Sequence, residues 1–185
     1  MHSMHTFLVA AAIVSTVQAQ EAEKPPLNVV PQIDLQRYLG TWYEIARLPN
    51  SFEKKCVGNI TATYSLLDDG DIRVINRCRT ANGEMSEAVG LAKLASKDGP
   101  NTKLKVRFAP AFLSFLPFVW GNYWIILLAD DYRYAVIGEP DRKYLWILSR
   151  TPSIEEPLFQ DILSRVKQAG YDVSTLERID NSPTK

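Results

Sequence analysis

The sequence predicts an all-β fold: an eight-stranded antiparallel up-and-down β-barrel with one C-terminal α-helix packed outside it. Three observations carry this. From Gly40 to Ser149, short runs rich in β-branched and aromatic residues, several of them alternating at period two, follow one another, which is the mark of half-buried strands. Short turn sequences join them, as in hairpins, rather than helical crossovers. One amphipathic helical pattern comes last. Eight strands close into a barrel with room for a small ligand.

The length of 185 residues fits one domain plus a leader. Residues 1–19 carry no Asp, Glu, Lys or Arg, hold the apolar run Phe7 to Val14, and end on Val17-Gln18-Ala19. They read as a signal peptide. The rival reading is a membrane anchor, for which the run is short. No cysteine lies near the cleavage site, so the usual acylated lipoprotein form is not indicated. The expected product is exported, periplasmic or secreted, with association with the outer membrane left open. Residues 20–34 read as an extended linker, 35–180 as barrel plus helix, and 181–185 as a loose tail.

With 21 basic and 21 acidic residues, the chain lacks the basic excess of a nucleic-acid binder. Both histidines, His2 and His5, fall in the leader. The mature chain then has no histidine for acid–base catalysis, triads or zinc, and no metal or cofactor is expected.

The first strand is Tyr38 to Pro49. Gly40 supplies backbone freedom before it. Alternation puts Trp42, Glu44, Ala46 and Leu48 on one face and Tyr43, Ile45 and Arg47 on the other. Asn59 to Leu66 and Ile72 to Cys78 form a hairpin about Asp68-Asp69-Gly70-Asp71. Glu84 to Leu94 is long, with Gly90 allowing a bulge, and Thr102 to Phe108 alternates cleanly. Tyr123 to Leu128, Tyr132 to Ile137 and Tyr144 to Ser149 complete the set. The helix carries Leu158, Ile162, Leu163, Val166 and Ala169 on one face. It starts with Pro157 as first helical residue and ends at Gly170. Tyr171 to Leu176 reads as a short final strand. In an exported chain, Cys56 and Cys78 are expected to pair.

Three sequence features belong together: Gly40-Thr41-Trp42-Tyr43-Glu44-Ile45-Ala46 near the mature start, Asp130-Asp131-Tyr132-Arg133 at a late turn, and Arg150 after Leu145-Trp146-Ile147-Leu148-Ser149. In this order and spacing the chain resembles the lipocalins over about Leu35 to Leu176, most closely those of bacteria. Asp130 stands where the family pattern has threonine. The signature residues Gly40, Trp42, Asp131, Tyr132 and Arg150 read as structural. Trp42 plugs the closed end of the barrel, and Arg150 lies over its ring while bonding nearby carbonyls.

The resemblance implies a non-enzymatic carrier of a small hydrophobic or amphipathic ligand, a fatty acid or lysophospholipid, as a monomer or homodimer. The expected ligand set is Glu44, Ala46, Leu48, Phe108, Phe112, Phe115, Phe118, Trp120 and Tyr123. Glu44 is satisfied by a tyrosine, by Arg77 or Arg107, or contacts a polar head group. Residues 110–120, with two prolines and many apolar side chains, read as a folded-back lid or as a rim that touches membrane. Three rival functions remain: a lipocalin-like isomerase using a free cysteine, a tetrapyrrole binder ligated by tyrosine or Met85, and an envelope-structure protein with a filled barrel.

Overall fold

The computed structural model describes residues 25–182. The expected signal peptide, the start of the expected linker and the last three residues lie outside the described residues.

A short helix α1 (Leu35–Tyr38) precedes eight strands: β1 (Gly40–Arg47), β2 (Cys56–Leu66), β3 (Ile72–Thr80), β4 (Met85–Leu94), β5 (Lys103–Arg107), β6 (Gly121–Leu128), β7 (Tyr134–Gly138) and β8 (Leu145–Ser149). Each pairs antiparallel with the next, and β1 pairs with both β2 and β8, closing the barrel. Helix α2 (Glu156–Gln168) packs outside. Strand β9 is the pair Glu177–Arg178 against Arg47 and Ala46, further along than the strand expected at Tyr171 to Leu176.

Two apolar layers share the β1–β6–β7–β8 wall. The inner one contains Tyr38, Trp42, Tyr64, Ile72, Val74, Ile125 and Leu148. The outer one joins Ile45, Ile126, Val136 and Ile147 to Phe159, Ile162 and Val166 of α2. The helix starts one residue before Pro157, with Pro157 in its first turn and no side-chain cap bond. It ends in a Schellman turn: Gly170, at φ +89°, donates to Lys167 O, and Tyr171 donates to Val166 O. The Tyr171 hydroxyl then both donates to Glu139 O (3.0 Å) and accepts from Glu139 N (2.9 Å). Any Cβ on Gly138 would collide with that hydroxyl.

Two bulges shift the inside–outside phase. One falls between Glu44 and Ala46, the other between Ile125 and Leu127. A bulge inserts one extra residue, so every later side chain changes face. Past Ile45, Arg47 turns inward beside Trp146, and Ala46 and Leu48 turn out into the helix-facing layer.

Segments read as loose are docked. In the expected linker, Leu27 and Ile33 are buried. Val30 donates to Ile125 O and accepts from the Thr102 hydroxyl, and Ile33 exchanges two hydrogen bonds with the Asn101 amide. Asn181, read as the start of the tail, is buried instead. Its amide accepts from Ile60 N (2.9 Å) and donates to Glu44 O (2.7 Å). Ile179 N donates to Ile45 O. The β1 bulge frees backbone groups, and the C-terminal segment satisfies them.

Candidate functional site: the barrel interior and its mouth

The closed end is built from the signature residues. Trp42 is fully buried and its indole N–H donates to Tyr38 O (2.8 Å). The Arg150 guanidinium lies 3.8 Å over its ring and donates to the carbonyls of Arg37, Tyr38, Leu39 and Thr41. Gly40, at φ +88°, makes the turn that presents them. Tyr132, in a turn at φ 63° rather than in a strand, accepts from Asp34 N and lies under Arg37. Asp131 accepts from Arg133 N within that turn. Apart from the Arg37–Tyr132 contact, these bonds run to backbone.

Above the plug, three tyrosines meet across the interior. The Tyr123 hydroxyl is 2.7 Å from that of Tyr38 and 2.9 Å from that of Tyr64. Burial pushes all three hydroxyls above their ordinary range, so they stay neutral. Three hydroxyl protons and two mutual bonds leave one O–H for a further acceptor. A small void with room for about one water is lined here by Leu35, Leu39, Tyr64, Val74, Leu104 and Tyr123.

Towards the mouth the interior opens. Ala62, Asn76 and Ala88 lie opposite one another on β2, β3 and β4. They alternate with the inner-layer residues Tyr64, Val74 and Ala92, so they face inward. Ala62 and Asn76 are half-buried and Ala88 is exposed, as are inward Gly121 and Phe108. Inward side chains that keep solvent contact mean an unfilled calyx. Phe108 packs flat over Gly90, where any Cβ would strike its ring. The Asn76 Oδ1 is buried with no partner.

One polar group is embedded in this wall. Glu44, 4% exposed, accepts from Arg47 at 3.0 Å. Arg47 Nε also faces Glu53 (3.8 Å) and Glu177 (3.5 Å), and Glu53 accepts from the Trp146 indole. Three carboxylates thus share one guanidinium. Burial, then the Glu53 charge, raises the Glu44 carboxyl to about 8 against the pull of Arg47. Its partner is neither a tyrosine nor Arg77 or Arg107. The bulge that turned Ala46 outward brought Arg47 in.

Of the expected ligand set, Glu44, Phe108 and Tyr123 face the interior. Ala46 and Leu48 do not, for the reason given. Phe112, Phe115 and Phe118 project from the rim, 74–80% exposed. Trp120 pairs beyond Gly121 on the outer face, with Lys93 Nζ 4.2 Å and the Arg107 guanidinium 5.2 Å from its ring. Sequence reasoning missed Arg47, Trp146 and Asn76, because their faces depend on bulges and register. Cys56 and Cys78 form a disulfide at the open end, and no cysteine is free among the described residues. The isomerase reading thereby loses its thiol. Met85 is exposed on the outer face, away from any ligand in the calyx, so it is no axial ligand.

The family description "Lipocalin-like domain" matches residues 33–181. The outer membrane lipoprotein Blc of Escherichia coli K12 is 43% identical over 90% of this chain and 92% of its own. Temperature-induced lipocalin-1 of Arabidopsis thaliana is 40% identical over 88% and 87%. Among solved structures, insecticyanin from the tobacco hornworm Manduca sexta superposes at a TM-score of 0.65, with 23% identity over 85% of this chain and 86% of that one.

Proposed function

The chain belongs to the lipocalin family, and from that premise we propose that it is an exported carrier that holds one fatty acid or lysophospholipid in the calyx above Tyr123 and meets membrane through residues 110–120. One observation carries the reading. The inward row Ala62, Asn76 and Ala88 keeps solvent access above a packed floor, which a filled, purely structural barrel would not. Small side chains there leave room for an acyl chain, and its burial contributes roughly 25 cal/mol per Å² before ordering costs. The tyrosine O–H and the Glu44–Arg47 pair supply polar contacts for an amphiphile. Placement in the cell envelope follows the printed names of the Blc relatives.

The test is native mass spectrometry of the purified protein before and after delipidation, followed by titration with lysophospholipid and with fatty acid against tryptophan fluorescence. A co-purified lipid, or one-to-one saturation at micromolar concentration, supports the carrier. No bound mass and no saturation with either class overturns the lipid assignment.

A further inference from the structure

We infer that the surface this protein docks on is an anionic bilayer, taken up by Phe112, Phe115 and Phe118 with Lys93 and Lys105 set against lipid phosphates. This rests on the proposal that residues 110–120 meet membrane, and adds the chemistry of the surface and the residues that grip it.

Phe112 and Phe118 lie on two 3-10 turns, Ala111–Leu113 and Pro117–Val119, and Phe115 in the turn that joins them. Each ring is 74–80% exposed. That much aromatic surface held in water on one short loop marks a contact site.

The backbone of the loop is fit for an apolar medium. Leu113, Ser114, Leu116, Val119 and Trp120 donate to carbonyls three residues back, and the Trp120 indole donates to Ser114 O at 2.8 Å. Groups bonded within the loop carry little penalty on leaving water. No residue from 110 to 120 is charged.

The charges sit at the base of the loop. Lys93 and Arg107 flank Trp120, and Lys105 lies opposite Lys93 on the same outer face. Between Asp98 and Asp130 there is no acidic residue. A tryptophan with cations beside it, below an apolar tip, fits the headgroup layer, and basic groups there add attraction to anionic lipid. A second copy of the chain would bring the same cations face to face, which disfavours that occupant. Phe52 and Met85, 56% and 59% exposed at the same barrel end, extend the apolar rim around the mouth.

The test is vesicle flotation of the purified protein with phosphatidylcholine alone, and with roughly 30% phosphatidylglycerol added to supply surface charge. The wild type is expected to partition at least tenfold more onto the anionic vesicles, with a blue shift of tryptophan fluorescence. Phe112→Ser/Phe115→Ser/Phe118→Ser is expected to lose binding to both. Lys93→Gln/Lys105→Gln is expected to lose the anionic preference while keeping the melting temperature. Three results overturn the inference: no vesicle binding by the wild type, equal binding by the phenylalanine variant, or a dimer by light scattering that the phenylalanine variant abolishes. Lysophospholipid titration of the same proteins separates the two readings. A wild type that floats but takes up no lipid contradicts the carrier alone, and one that takes up lipid but does not float contradicts the docking alone.

Discussion

Two arginine–tryptophan pairs mark the two ends of the barrel. At the closed end Arg150 sits 3.8 Å over buried Trp42 and donates to four backbone carbonyls. At the open end Arg107 stands 5.2 Å from Trp120, donates to Ala109 O, and leaves its buried Nε unpaired. The same chemistry is closed off in one place and left unfinished in the other. Unpaired Arg79 Nε and Asn76 Oδ1 also lie towards the open end, as do the exposed phenylalanines. The closed end is held by a guanidinium bonded to four carbonyls, and the exposed aromatic rings gather at the other end.

The comparison breaks most sharply at Trp42. Trp42→Ala should cost about 3–5 kcal/mol, read by chemical denaturation, because the ring is fully buried. Arg150→Ala should cost about 3 kcal/mol, combining the lost ring contact with carbonyls left unpaired. Replacing both cysteines by serine removes the one covalent tie at the open end, closing a separation of 22 residues, and should cost about 2–3 kcal/mol by chain entropy. If the open-end change proves larger than Arg150→Ala, the division between ends is wrong.

Glu44→Gln has a signed pH dependence. The folded carboxyl titrates at about 8 against an ordinary value of 4.5. Below 4.5 both states hold the proton and nothing is lost. As pH rises towards 8 the unfolded chain ionises while the folded one does not, so stability falls. The variant, which cannot ionise, should therefore gain on the wild type between pH 4.5 and 8, at up to about 1.4 kcal/mol per pH unit. The gain should be flat outside that window, as read from denaturation midpoints. The smallest stability effect belongs to the rim: Phe112→Ser/Phe115→Ser/Phe118→Ser should leave the melting temperature within a few degrees, since those rings bury little.

The same division explains what the sequence made legible. The plug could be read because Gly40, Trp42 and Arg150 lie in local patterns that fix their roles, and the hairpin order follows from alternation and turns. Ala46 and Leu48 were misplaced because a bulge at Ile45 carries no compositional mark, yet reverses every later face of β1. The docking of Val30, Ile33 and Asn181 rests on partners between 68 and 137 residues away in sequence, which no local pattern encodes. The arginine that meets Glu44 was in view on the same strand, but on the face that plain alternation turned outward.

The claim that the calyx above the tyrosines is the ligand site meets its most direct test at Ala88, which faces inward from β4 and is exposed. Ala88→Trp should fill that space, keep the melting temperature close to the wild type, and weaken lysophospholipid binding at least tenfold in a fluorescence titration. A folded Ala88→Trp protein that binds with wild-type affinity would place the ligand elsewhere and contradict the account.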